Sequence, residues 1–241
     1  MSKRPDYGID APGVLAAFLL IGVLGQILGL FAPPLTIGPV TIVFGVSMQI
    51  AGGIFLVEAL LMLIYVKWGK LRHRDRMLAQ VPWSGNERVL DVGTGRGLLL
   101  IGAAKRLTTG RVVGIDIWST KDLSGNAPQR TQTNIALEGV SGKVELRSEN
   151  ASKMTFPDGS FDAVVSNLCI HNIPHQAGRD QACRHIARVL RAGGLAVISD
   201  YKLTKRYAAV FTGEGFSVEW RGPFWRDTFP PLKIFVARKP S

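Results

Sequence analysis

The sequence predicts an α/β domain on a doubly wound, mostly parallel seven-stranded sheet with an antiparallel C-terminal strand, preceded by two transmembrane helices. Three observations carry that expectation. Residues 11–57 contain no charged side chain. From residue 82 onward, short apolar runs alternate with amphipathic ones, the pattern of parallel strands with helices on both faces. Finally, the apolar run Val89-Leu90-Asp91-Val92 opens into Gly93-Thr94-Gly95-Arg96-Gly97. Three glycines at alternate positions after a strand let backbone approach a bound ligand closely.

The N-terminal part divides at Pro33, Pro34, Gly38 and Pro39, turn residues that helix interiors avoid. Two helices follow, about 12–31 and about 40–66, within a membrane hairpin of residues 1–66. At 1.5 Å per residue each is long enough for a hydrocarbon core of roughly 30 Å. A cleavable signal peptide is the competing reading, but Leu30-Phe31-Ala32 is a poor cleavage site. Lys3 and Arg4 precede the first helix, and Lys67, Lys70, Arg72, Arg74 and Arg76 follow the second, while the loop between them is uncharged. Positive flanks stay cytoplasmic, so a multi-pass membrane protein with its remaining domain in the cytosol is expected. The run Lys67 to Arg76 can also rest on anionic headgroups. Gly22, Gly25 and Gly29, with Gly45, Gly52 and Gly53, permit close packing of the hairpin on itself. Glu58, inside the second helix, needs a partner such as Gln26 or Gln49, or else a role toward substrate.

A basic connector, 67–81, leads into the domain at 82–241. Strands are expected at 88–92, 111–117, 144–147, 161–166 and 195–199, with 216–220 and 233–237 closing the sheet as an antiparallel pair. Helices are expected at 97–106, 128–138 and 181–190. Nineteen residues after Gly97, the strand Val112-Val113-Gly114-Ile115 ends in Asp116. A carboxylate there can accept hydrogen bonds from both hydroxyls of a ribose, which points to a nucleoside ligand. The spacing G-x-G-x-G is one residue tighter than the dinucleotide fingerprint.

The charge, Lys+Arg 29 against Asp+Glu 18 for a net +11, admits an anionic membrane, nucleic acid or a merely basic surface. Cys169 and Cys183 stand alone, without C-x-x-C or Cys/His spacing, so reduced thiols and no metal site are expected.

The order of the glycine loop 89–97, Gly114-Ile115-Asp116, Phe156-Pro-Asp-Gly-Ser-Phe-Asp162 and Val189-Leu-Arg-Ala-Gly-Gly194 resembles class I S-adenosylmethionine-dependent methyltransferases, over about residues 80–241. The likeness is greatest to the small-molecule type of ubiquinone and menaquinone biosynthesis, though that family has no such hairpin. It implies a Rossmann-like fold and S-adenosyl-L-methionine as cofactor. By that resemblance Asp91, Gly93, Thr94, Gly95 and Gly97 wrap the methionine part, and Asp116 binds the ribose. Ile117 covers an adenine face, where Trp118 either joins it or is a core residue. Asn150 and Ala151 meet the adenine edge, Asn150 standing where the family has an acid. Ser166 lies at the end of the fourth strand, where ligands gather.

Just beyond it, His171 and Asn172 are the candidates for catalysis, because a histidine suits proton removal from a hydroxyl or acidic carbon near neutral pH. A structural histidine is the alternative. The segment 220–231 interleaves aromatics with arginines and suits a lid over apolar substrate, a membrane contact or a base-stacking surface. Taken together, the expected activity is methyl transfer to a hydrophobic or lipid-like small molecule, such as a quinone or phenol, at the membrane surface. Nucleic-acid methylation is the rival, disfavoured because Ser166-Asn-Leu-Cys-Ile-His171 lacks the Asn/Asp-Pro-Pro-aromatic tetrapeptide of amino-directed DNA enzymes. A non-catalytic membrane module that keeps cofactor binding is a third reading.

Overall fold

The computed structural model describes residues 4–241; Lys3, counted above among the flanking charges, lies outside them. Helix α1 (Pro12–Phe31) and helix α2 (Phe44–Ile64) form an antiparallel hairpin. Both are long and apolar enough to cross a membrane. Most of their side chains face outward rather than into a protein core. The glycines are what bring the helices together: a Cβ on Gly25 would stand 2.9 Å from the Gly52 Cα, and one on Gly29 would stand 2.7 Å from the Gly45 carbonyl oxygen. Close packing of this kind needs residues without side chains. Gln26 does not reach Glu58, as the sequence allowed; its amide donates instead to the Gln49 carbonyl at 2.6 Å.

The second helix begins later than expected. Residues 35–37 (β1) and 40–42 (β2) pair antiparallel across Gly38-Pro39. Val40, Thr41 and Ile42 are β-branched, which favours a strand after that turn over a first helical turn. At its far end α2 passes through a π-helical turn, Tyr65–Gly69, into α3 (Lys70–Leu78). The connector is therefore a continuation of the hairpin, packed on the domain through buried Met77 and Leu78.

The remainder is a seven-stranded sheet of order β5-β4-β3-β6-β7-β9-β8. Its strands are β3 (Arg88–Val92), β4 (Arg111–Asp116), β5 (Val144–Ser148), β6 (Phe161–Asn167), β7 (Leu190–Asp200), β8 (Ser217–Phe224) and β9 (Leu232–Arg238). All pairings from β5 to β7 are parallel, and β9 runs antiparallel to both its neighbours. Alternate strand residues enter different cores, with Val89 against α3 and α4 (Leu98–Ala104), and Leu90 against α6 (Gln176–Val189) and α7 (Thr204–Gly213). Such two-sided burial follows from the period-2 pleat and explains the nearly continuous apolar runs. Helix α5 (Pro128–Leu137) completes the set. Helix α7 was not foreseen, although Tyr207, Ala208 and Phe211 mark one helical face that is fully buried.

Candidate active site

Strand β3 has β4 on one side and β6 on the other, so the chain reverses its winding there. In open α/β sheets ligands bind at the carboxyl edge of that switch point. The glycine loop, Asp116, Ser166 and His171 all fall on that edge.

The loop is held from below by Asp91. This carboxylate is 1% exposed, and its Oδ2 accepts from the Thr94 hydroxyl at 2.8 Å and from the Leu100 N–H at 2.9 Å. Burial pushes its pKa up to about 7. Asp91 therefore shapes the turn that Gly93, Thr94 and Gly95 form. Gly93, at φ +76°, has no room for a side chain, since a Cβ would fall 2.3 Å from the Cys169 sulfur. Burial raises that thiol's pKa strongly, so Cys169 is packing rather than a nucleophile. Gly97, at φ +85°, starts α4.

Asp116 accepts from the Gly95 N–H at 2.7 Å, the Trp118 N–H at 2.6 Å and the Asn126 amide at 3.2 Å. A carboxylate has about four acceptor positions, so one remains and the longest bond is the easiest to exchange. Beside it, the Asn126 Oδ1 is buried without a partner, an acceptor that a ribose hydroxyl could satisfy. Asn126 was missed in the sequence because nothing in its spacing marks it. Ile117 is 67% exposed beside Asp116. Trp118 is half-buried and donates from its ring nitrogen to Ser148 Oγ at 2.8 Å, so it lies over the end of β5 instead of in the core. The Asn150 oxygen accepts from Ser152 N at 2.9 Å, which leaves its NH₂ as the group free to meet a base. Ala151 is buried next to it. Ser166 is also buried and donates to the Val92 carbonyl at 2.9 Å, stitching β6 to β3.

On the opposite side of the edge, His171 Nδ1 lies 2.9 Å from Asp200 Oδ2, and its ring meets Tyr201 edge to face at 4.9 Å. Asp200 is 1% exposed and ends β7. The sequence held a signal for it: an acid closing an apolar strand, the same pattern that singled out Asp116. Asn172 is exposed, and its amide donates back to the Leu168 carbonyl, which braces the loop. Behind Asp200, the wholly buried His73 of α3 shares a 2.6 Å hydrogen bond with Ser199.

Residues 90–198 match the family model described as a methyltransferase domain. The chain is 33% identical over 134 residues to the demethylmenaquinone methyltransferase of Lactiplantibacillus plantarum, an overlap covering 55% of this chain and 53% of that one. It spans about half the length of the curated relatives it matches. Among solved structures, the [4+2]-cyclase SpnF superposes with a TM-score of 0.60 at 17% identity, covering 100% of this chain and 99% of that one. The phosphoethanolamine N-methyltransferase 2 of Haemonchus contortus, in complex with S-adenosyl-L-methionine, gives 0.56 at 18% identity over 73% of this chain and 53% of that one. At such identities these two establish the fold.

S-adenosylmethionine, the cofactor of methyltransferase domains of this kind, fits the residues present. The side-chain-free backbone of the glycine loop, the spare acceptor on Asp116 and the unpartnered Asn126 Oδ1 together meet the needs of an aminoacyl nucleoside. Residues 6–10 add a strap that the sequence did not reveal. Asp6 pairs with Arg96 of the loop at 2.5 Å, and Lys70 holds Asp10 at 3.3 Å, so the chain crosses the domain's cofactor edge before entering α1.

Proposed function

We propose that this protein is an S-adenosylmethionine-dependent methyltransferase, anchored by α1 and α2 in a membrane, that methylates a hydrophobic hydroxylated small molecule of the quinol or phenol type. The observation that carries the reading is the position of the hairpin's foot. Asp10 enters α1 next to the loop after β4, Tyr65–Gly69 leaves α2, and the β8–β9 loop packs on both through Phe229. All three lie at the carboxyl edge of the sheet, the edge that also carries His171 and Asp200. An acceptor dissolved in the bilayer would meet the site without crossing water, and tethering raises its effective concentration there. The name of the L. plantarum relative supports a quinone-type acceptor.

Bound cofactor supplies an electrophilic methyl group on a sulfonium. The residues of this chain do the rest. Asp200 accepts from Nδ1–H of His171, which fixes the tautomer and leaves the Nε2 lone pair free to take the proton that the acceptor loses. Tyr201 packs edge to face on the ring and restricts water on that side. The glycine loop and Asp116 hold the donor in place, so that the transfer is governed by alignment.

The test is incubation of native membranes with labelled S-adenosylmethionine, comparing the wild type with His171→Ala. Label should pass into a lipid-extractable product, and the variant should lose about 10²–10⁴ in turnover with cofactor affinity unchanged. Label found in nucleic acid, or equal turnover in the variant, would overturn the assignment.

A further inference from the structure

Between the foot of α2 and the β8–β9 loop there is a cavity of about 260 Å³, walled by Leu61, Ile64, Tyr65, Trp225, Phe229 and Pro231 among others. Ligand pockets run from about 300 Å³ upward, so this space is small for a whole ligand and better suited to part of one, such as a linear apolar chain. It is continuous with the lipid-facing surface of α2, where Val57, Leu60, Leu61 and Ile64 are exposed. At its inner end Tyr65 is 4% exposed, its hydroxyl standing against the side chain of Asn167 and near the Asp10 carboxylate. Asn167 ends β6, and its Oδ1 is buried with no hydrogen-bond partner. A buried acceptor without a donor costs roughly 1–3 kcal/mol, a cost removed when a ligand supplies an O–H. The π-helical turn sets this register: Gly69 packs so tightly on the Asp227 carbonyl that no side chain fits, and the turn directs Tyr65 inward. Such turns recur at functional sites.

We propose that Tyr65 and Asn167 are the polar head of the acceptor site, and that the cavity at the hairpin's foot takes the acceptor's single apolar chain. The pair offers one acceptor, Asn167 Oδ1, and one donor, the Tyr65 O–H. That combination matches a hydroxyl, which both donates and accepts, and not a quinone carbonyl, which only accepts. The site therefore takes a phenolic hydroxyl on a ring bearing one linear apolar chain. The hairpin is then a wall of the substrate site as well as an anchor. This inference rests on the function proposed above.

The experiment uses the full chain in lipid nanodiscs with alkyl hydroquinones of two and ten carbons, bromine-tagged on the chain so that binding quenches Trp225. Decyl hydroquinone should bind about tenfold more tightly than the ethyl compound, and the double substitution Leu61→Phe, Ile64→Phe should abolish that difference. Because both proteins sit in the same lipid, partitioning cancels between them. Asn167→Ala, which removes the acceptor that only a hydroxyl can use, should weaken hydroquinone binding several-fold while leaving the corresponding dimethyl ether unaffected. Cofactor affinity, measured by calorimetry on each variant, reports whether it is folded; should the double variant lose it, Ile64→Phe alone takes its place. Equal chain-length dependence in wild type and filled variant, or an equal loss with the ether, overturns this inference. Failure of the wild type to bind S-adenosylmethionine would instead overturn the underlying function.

Discussion

His73 makes the domain sensitive to acid in a way that can be worked out beforehand. Its ring is wholly buried on α3, bonded to Ser199 beside Asp200, and burial pushes its pKa down from 6.5 to about 3, with the nearby Arg76 acting in the same direction. The unfolded chain takes up a proton at about pH 6.5, whereas the folded chain resists until about pH 3. Between those values the unfolded state binds more protons, so stability falls as pH falls. Each pH unit is worth about 1.4 kcal/mol, and with the unfolded ring already part-protonated near its own pKa the loss from this residue comes to about 3 kcal/mol between pH 7 and 4.5. Against a typical total of about 5–15 kcal/mol that is a large share. His73→Gln keeps an amide able to reach Ser199 and removes the titration. Urea unfolding of the detergent-solubilised chain, followed by tryptophan fluorescence at pH 7 and 4.5, gives the comparison. The variant should be less stable than wild type at pH 7 and should lose about 3 kcal/mol less on acidification. Parallel losses in the two proteins would mean that His73 is hydrated or already charged, and the account of the α3–β7 contact would fail.

Asp116→Asn should weaken cofactor binding by about 1–3 kcal/mol, read by calorimetry, because it removes an acceptor that the Gly95 and Trp118 amides also use; unchanged affinity would remove Asp116 from the ribose role. Asp91 titrates near pH 7 in the folded chain against 3.8 ordinarily, so its contribution to stability is complete below pH 4 and is lost as pH rises through 7. A cationic sulfonium bound above it favours the carboxylate, so binding at pH 6 should release a fraction of a proton, seen as different enthalpies in two buffers of unlike ionisation heat. Gly25→Ile should push α1 off α2, since even a Cβ there would stand 2.9 Å from Gly52. The cost should be about 1–3 kcal/mol, detectable as a lower aggregation temperature in detergent, and an unaltered temperature would mean that the helices part freely.

Much of this architecture was legible because the relevant signals are local. The glycine loop, the acid nineteen residues on, and the alternation of apolar runs are each short-range consequences of backbone geometry, and all reappear in place as β3, α4 and β4. The order β7-β9-β8 was visible in outline for the same reason. What escaped depends on contacts between distant residues. Asp200 lies twenty-nine positions from His171, and Asn126 meets Asp116 only because the loop after β4 folds back. Tyr65 was hidden differently, since within a long apolar helix its hydroxyl reads as an interfacial anchor until the π-helical turn rotates it toward β6.

The same contacts change what the hairpin is for. A purely mechanical anchor needs only apolar length and a flexible connection, and sequence length alone suggested that division at residue 66. Instead the strap from Asp6 to Asp10 lies on the glycine loop through Arg96, on α5 through Asn134 and on α3 through Lys70. The β8–β9 loop is fastened from the other side, where Arg76 meets Asp227 at 2.6 Å and stacks on Phe224 at 4.1 Å. Each tie runs from a segment at the hairpin's foot to a segment that frames the cofactor or the His171–Asp200 pair. A tilt of the helices would therefore be felt in the site, whereas a free linker would absorb it. Charged pairs at such partly buried positions add little stability on their own, since desolvation offsets much of their attraction. Their use here is to fix orientation: they hold the carboxyl edge of the sheet toward the surface from which α1 and α2 emerge, the side from which, under the function proposed above, an acceptor carried in lipid would arrive.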